Sequence, residues 1–325
     1  MNPRLRALVT GAGGFIGSHL VPHLAARGWS VCAIDLHPPV WRAPGADVDF
    51  RVQDIRDTAR LAAALAGVDY VFNLASVHLD VHATPEHFEA VNVNALQALV
   101  ALCASAHVRR LIHISSVGVY GNVASPPADE TAPLNPQNAY ERTKMAGEEA
   151  ARRCAARTGM DVVVIRPSWV YGTGCPRTLK LIRSLRKGRF FFIGPGRNLR
   201  HPIYIDDALE ALVLAARAGP EVAGKTFNVA GPRWMSVEEM IAQFARAIGV
   251  RPPSFHAPRW LGLTVGWTAE RVSALVGAEP PVSRRTLAFF ENDNAFDIGA
   301  ARVALGFEPK VDLPDGVRQV AAAVQ

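Results

Sequence analysis

The stretch that decides the fold is Arg6-Ala7-Leu8-Val9-Thr10-Gly11-Ala12-Gly13-Gly14-Phe15-Ile16-Gly17. A short apolar run enters a glycine cluster, and an apolar-periodic segment leaves it. That order reads as strand, tight turn, helix. Glycine permits backbone angles that a Cβ forbids, and it lets a diphosphate approach the main chain. The amides of the first helical turn then face that anion, and the helix dipole favours its charge. The glycines fall at 11, 14 and 17, so the spacing is G-x-x-G-x-x-G and not G-x-G-x-x-G. Three glycines also suit a purely structural turn, so the rest of the chain must decide.

Around that stretch, 325 residues with 49% hydrophobic and 20% charged content describe one large α/β unit or two intimate domains. No apolar run approaches the roughly 20 residues of a membrane span. The first apolar segment runs straight into the glycine turn, unlike a signal peptide. Cys32, Cys103, Cys154 and Cys175 are scattered without a CxxC pair, so reduced thiols, a cytoplasmic location and no metal site are expected. The net charge of +6 is unevenly placed. Between Asp161 and Asp206 there is no acidic residue, while Arg166, Arg177, Lys180, Arg183, Arg186, Lys187, Arg189, Arg197 and Arg200 fall in that interval. One sign without the other points to an anionic partner: a nucleotide diphosphate, an anionic membrane surface or, last, nucleic acid, for which no binding module is present. A basic surface with no partner is the plain alternative.

Downstream, the pattern alternates. Phe15–Arg27 reads as a helix closed by Gly28, with Pro22 a local irregularity. Val31–Ile34 is a second strand ending in Asp35, and Pro38, Pro39 and Pro44 mark a loop. Phe50–Val52 is a third strand, and Asp57 caps a helix that Gly67 stops. Strands at Tyr70–Ala75, Arg110–Ile114 and Val162–Ile165 are separated by helices at Phe88–Ala106 and Asn138–Arg157. Such alternation implies right-handed crossovers and a Rossmann-type doubly wound parallel sheet, with ligands beyond the strand C-termini. Asp206–Ala218 looks helical and Thr226–Ala230 strand-like. The expected organisation is a dinucleotide domain over 1–166 and 206–231, and a smaller substrate lobe over 167–205 and 232–325.

Asp35 lies roughly 20 residues past the glycine turn, where a carboxylate accepts hydrogen bonds from an adenosine ribose and repels a 2′-phosphate. This favours NAD; Arg42, further along the loop, leaves room for NADP, and a turn aspartate is the bland reading. Tyr140 and Lys144 share one helix face. A nearby ammonium favours the phenolate, so Tyr140 can exchange a proton with a substrate hydroxyl. Ser115-Ser116 ends the fifth strand, where a hydroxyl can orient that same oxygen or merely satisfy turn amides.

Together Thr10–Gly17, Ser115–Gly121, Tyr140-x-x-x-Lys144, Arg166–Gly172, His201–Asp207 and Phe227–Gly231 occur in one order. That order resembles the extended short-chain dehydrogenase/reductase family, in its NAD-dependent epimerase/dehydratase branch, over essentially the whole chain. The resemblance implies a cofactor site of Gly11, Gly14, Phe15, Ile16, Gly17, Asp35, Asp54, Ile55, Leu74, Ala75, Tyr140, Lys144 and Pro167. It implies Ser116, Tyr140 and Lys144 as catalytic residues. It also implies a homodimer packed through the helices that contain Asn92 and Tyr140.

Within the family, 4,6-dehydratases carry a carboxylate directly after the catalytic hydroxyl; Val117 and Gly118 stand there in this chain, and neither supplies an acid or base. The resemblance is to 4-epimerases instead. Arg200 matches an arginine that grips the diphosphate in UDP-sugar epimerases, Asn92 matches an asparagine close to the substrate, and Arg177 belongs to the same basic stretch. Trp169 stands where many sugar-nucleotide enzymes have asparagine; it either walls the substrate with an apolar surface or packs the lobe interface. Pro258–Leu261, Pro281–Arg285, Phe296-Asp297 and Ala301–Pro309 resemble the 3β-hydroxysteroid dehydrogenase branch about as well. Trp260 and Trp267, near Arg259 and Arg271, fit either a membrane surface or lobe core. The readings left open are a nucleotide-sugar epimerase, a dehydrogenase of a sterol-like alcohol, and a non-catalytic NAD-binding protein.

Overall fold

Strands with both faces covered must be apolar nearly throughout, and six strands come early in this chain, all but the third, at the sheet edge, largely buried. They are β1 (Arg6–Thr10), β2 (Ser30–Asp35), β3 (Val48–Val52), β4 (Tyr70–Asn73), β5 (Arg110–Ile114) and β6 (Val162–Pro167). Four two-residue strands follow: β7 (Val170–Tyr171), β8 (Phe192–Ile193), β9 (Leu199–Arg200) and β10 (Ile203–Tyr204). β11 (Thr226–Val229) then returns to the large sheet, whose order is β11-β6-β5-β4-β1-β2-β3, all parallel. The order reverses beside β1, between β4 and β2, which puts a crevice above the glycine turn. Two more short strands, β12 (Met235–Ser236) and β13 (His256–Ala257), pair with β9 and β8. The computed structural model describes residues 4–39, 48–78, 83–260 and 284–323.

Helices cover both faces of the sheet. On one side α1 (Phe15–Ala26) packs with α7 (Ile205–Arg217), and their Leu20, Leu24, Leu209 and Leu212 share a core with Phe227 and Phe244. On the other lie α2 (Thr58–Ala64), α3 (Pro85–Glu89), α4 (Leu96–Ser105) and α5 (Ala139–Thr158), burying Leu61, Leu96, Leu99 and Ala151. α6 (Pro176–Arg186) and α8 (Val237–Ala247) pack together beyond β6. Asp57 caps α2, Asn138 caps α5, and Gly159 closes α5 at φ +72°.

Most of the predicted elements appear within a few residues of their expected bounds. Pro22 sits inside α1 without ending it. The helix predicted from Phe88 starts at Pro85, with Thr84 capping it, and passes through a π-helical stretch, Ala90–Ala95, into α4. By length and composition alone, Pro85–Ser105 passes for a membrane span, with a mean hydropathy of 1.3. Its apolar side is spent on α5 and the sheet, which bury Phe88, Leu96, Leu99 and Cys103. All four cysteines are free thiols. The expectations placed on Arg42, Pro44, Leu261, Trp267, Arg271 and Pro281–Ser283 lie outside the described residues.

Candidate active site

The glycine turn is built for close approach. Gly11 lies at φ +69°, and a Cβ there would come within 2.6 Å of the Ala75 nitrogen. A Cβ on Gly17 would overlap the Gly11 carbonyl. Gly14 is the N-cap of α1, with no side chain capping the helix and no acid in its first turn, where Phe15 and Ile16 stand. The first-turn amides and the helix dipole therefore face outward toward an anion, which fits a dinucleotide diphosphate. Asp35 closes the neighbouring strand. Its carboxylate accepts from the Gly13 N–H at 2.9 Å and the His37 N–H at 3.1 Å, which holds it beside the turn. If that carboxylate binds the adenosine ribose, Asp35→Ala should weaken NAD binding about 10–100-fold, the loss of charge-assisted bonds, and should narrow the preference over NADP. Fluorescence titration with both cofactors reads this; an unchanged ratio would leave Asp35 as a turn residue only.

Beyond β3, Asp54 is bound to the Arg56 guanidinium at 2.6 Å, which holds its carboxyl below the usual carboxylate range, and Ile55 is buried. Beyond β4, Thr10 fastens the next segment. Its hydroxyl donates to Asn73 Oδ1 at 2.6 Å and accepts from the Ala75 N–H, while the Leu74 N–H donates to the Thr10 carbonyl. Leu74 and Ala75 are thereby set against the glycine turn. Pro167, the last residue of β6, pairs with Val229 of β11.

α5 carries the other groups. Lys144 is almost wholly buried, and its ammonium donates to the Ile114 carbonyl at 2.5 Å, two residues before Ser116. Burial lowers its pKa to about 8, with Glu148 opposing. The unfolded chain keeps the ordinary value, 10.5, so between about pH 8 and 10.5 the unfolded state binds more protons and stability rises with pH. Below that window the full cost of the buried charge is present. From pH 7.5 to 10, the unfolding free energy of the wild type should gain roughly 2–3 kcal/mol on Lys144→Met. Urea unfolding of both proteins checks it, and a flat difference would show that Lys144 is not desolvated in this way.

Ser116 Oγ accepts from the Gly118 N–H at 3.0 Å, capping the turn Val117–Tyr120 and leaving its O–H to donate elsewhere. Tyr140 is half-buried, one helical turn before Lys144 and on the same face. Its ring lies 4.4 Å from that of His78, and His78 Nε2 lies 3.2 Å from the Arg177 guanidinium. His78 thus links Tyr140 to the first turn of α6. The sequence reading missed it; its place just past the β4 end, among the C-terminal loops of the sheet, was the available signal.

A second omission is the buried network beneath these residues. Ser115 Oγ donates to Glu148 at 2.5 Å, and Arg166 grips Glu148 with two bonds at 2.9 and 2.6 Å. Arg166 also donates to the Tyr120 hydroxyl, which donates to Asn228 of β11. Arg166, counted in the basic stretch, is therefore neutralised inside the protein and does not face an external anion.

Three expected substrate residues are likewise used internally. Arg200 is buried, and its guanidinium donates to the carbonyls of Leu199, Ala288, Phe289 and Asn292, closing the C-terminal end of the helix Arg284–Glu291. The last carbonyls of a helix need donors and favour a cation, which explains why this arginine is drawn there. Asn92, in the π-helical stretch, accepts from Ser76 Oγ and the Val77 N–H and donates to Thr143 at 3.0 Å. It ties the loop after β4 to α5, supporting the site from behind. Trp169 stacks on Phe244 at 6.0 Å and meets Phe289 edge-on, so it packs the lobe interface; its buried Nε1 has no partner among the described residues. Arg177 alone of these stands beside Tyr140, through His78.

Comparison with known proteins agrees with this geometry. A model of the NAD dependent epimerase/dehydratase family matches residues 7–230. The UDP-glucose 4-epimerase of Mycolicibacterium smegmatis is 34% identical, across 89% of this chain and 99% of that protein. The 3beta-hydroxysteroid-dehydrogenase/decarboxylase isoform 2 of Arabidopsis thaliana is 26% identical across 96% of this chain, which spans only 60% of that longer protein. Among solved structures, MoeE5 in complex with UDP-glucuronic acid and NAD is 27% identical with a TM-score of 0.78, covering 98% of both chains.

Proposed function

Because this chain belongs to the NAD-dependent epimerase/dehydratase family and is an NAD-dependent enzyme of the extended short-chain dehydrogenase/reductase type, we propose that it epimerises a secondary hydroxyl of a nucleotide-diphosphate sugar, in the manner of a 4-epimerase. Bound NAD supplies the hydride acceptor. Tyr140 takes the hydroxyl proton, the Ser116 O–H orients the oxygen, and the buried Lys144 ammonium favours the phenolate. In an epimerisation the ketone turns over, the hydride would return to its other face, and Tyr140 gives back the proton.

The observation that carries this reading over a 4,6-dehydratase is the space around Gly118. A Cβ there would lie 3.0 Å from Glu141 Cγ and 3.2 Å from Ser116 Oγ, which supports the absence of an acid/base beside the reacting carbon. Glu141 Oε2 accepts from the Gln137 N–H at 2.7 Å, which ties that side chain to the start of α5. Purified protein incubated with UDP-glucose and UDP-glucuronic acid should melt higher and yield the 4-epimer by NMR without net NADH. Neither a thermal shift nor turnover across a panel of nucleotide sugars would overturn it.

A second reading, an NAD-dependent dehydrogenase of a sterol-like alcohol, draws on the likeness to the Arabidopsis protein. It predicts net NADH from a sterol alcohol. We further propose a homodimer packed through the helices that contain Asn92 and Tyr140, to be measured by light scattering.

A further inference from the structure

Over much of the surface arginines sit beside acids: Arg27 with Glu210, Arg51 with Asp49, Arg56 with Asp54, Arg233 with Glu239, Arg302 with Glu308. One face departs from that pattern. α6 and the turn after it expose Lys180, Arg183, Arg186, Lys187 and Arg189, and none has an acidic partner among the described residues. α8 packs on α6, and Arg246 and Arg251 at and beyond its end are also exposed without an acidic partner among the described residues. The buried side of α6 is apolar, with Ile182 and Leu185 in the core.

Large aromatic rings emerge at the same end. Pairing of β8 with β13 sets Phe192 opposite His256 and brings Phe191 and Phe255 side by side, their rings 6.3 Å apart. Phe192 is buried, whereas Phe191 is 43% and Phe255 64% exposed. Trp260, three residues beyond β13, is 65% exposed. A helix with cations on its open face and aromatic side chains at its tip combines the two attractions a bilayer surface offers: anionic headgroups and the apolar boundary beneath them. Stacking of nucleic-acid bases takes rings interleaved with the cations along a groove, whereas Phe191 and Phe255 sit together past the C-terminal end of α6.

We propose that the C-terminal end of α6, together with Phe191 and Phe255, docks this protein on an anionic lipid bilayer. α6 is 11 residues long, or roughly 16 Å, and Arg177 at its other end meets His78 beside Tyr140. The docked face and the candidate active site therefore lie at opposite ends of one helix. The docking stands independently of which substrate is correct.

Flotation of the full chain with vesicles of equal parts phosphatidylglycerol and phosphatidylcholine tests the proposal. Binding is expected to these and not to pure phosphatidylcholine, and to fade in high salt. Each cation near an anionic leaflet contributes about fivefold to partitioning, so Arg186→Glu with Lys187→Glu should lower it at least about 25-fold. Phe191→Ser with Phe255→Ser should weaken it at low salt too. Both double variants should keep NAD and stay folded by circular dichroism, because these side chains are exposed. Equal binding to neutral vesicles, no flotation, undiminished binding of folded variants, or binding of a single-stranded oligonucleotide in place of vesicles would each overturn the proposal.

Discussion

Tyr140→Phe is expected to lower kcat by about 10²–10⁴-fold, the usual contribution of a positioned acid/base, while the protein keeps its cofactor and its stability. The substitution removes one oxygen and nothing else. Phenylalanine preserves the ring that lies 4.4 Å from His78 and suits the same helical turn. Lys144 does not depend on the phenol for its position, because the Ile114 carbonyl holds it at 2.5 Å. The measurement is single-turnover reduction of bound NAD with a substrate found in the nucleotide-sugar panel, beside a melting curve. A loss in kcat of less than tenfold would remove Tyr140 from the proton path. A matching fall in melting temperature would mark the hydroxyl as structural instead.

The central sheet was legible because its strands, the edge strand β3 aside, are largely buried and stand out as apolar runs between helical patterns. Thr226–Ala230 read as a strand of the dinucleotide domain, while its pairing with β6 is what the structure adds. Asp57 announced its cap of α2, since few other residues do that work locally. The basic stretch was harder to read. Arg166, Arg177, Arg186 and Arg200 look alike in sequence, yet Arg166 is neutralised by Glu148, Arg200 closes a helix end and Arg186 faces solvent. Their partners arrive from elements far along the chain, and spacing carries no record of that. Glu148 was hidden for a related reason. It stands one turn after Lys144 on the same face, but in sequence it reads as one of two adjacent surface acids, Glu148 and Glu149. Asn92 and Trp169 were singled out as residues of note, but their uses, bracing a loop and packing an interface, depend on neighbours from other elements.

Glu148→Gln should destabilise the protein by about 3–5 kcal/mol, as expected when one partner of a buried pair is removed. Side-chain exposure is 3% for Arg166 and 1% for Glu148, so the remaining guanidinium has little access to water. Glutamine keeps the volume and can still accept from Ser115 or Arg166, but it cannot neutralise the charge. The consequences should reach the site, because Ser115 precedes Ser116 directly and Tyr120 ends the turn that Ser116 caps. Pairing Glu148→Leu with Arg166→Met separates the charge from the packing. Buried pairs replaced on both sides by apolar groups are often near neutral, so the double variant should recover much of the stability lost by either single variant. The coupling is read from urea unfolding of all four proteins. If the double variant is as unstable as the sum of the two, the network acts through shape and hydrogen bonding at Ser115 and Tyr120, and the ion pair itself contributes little.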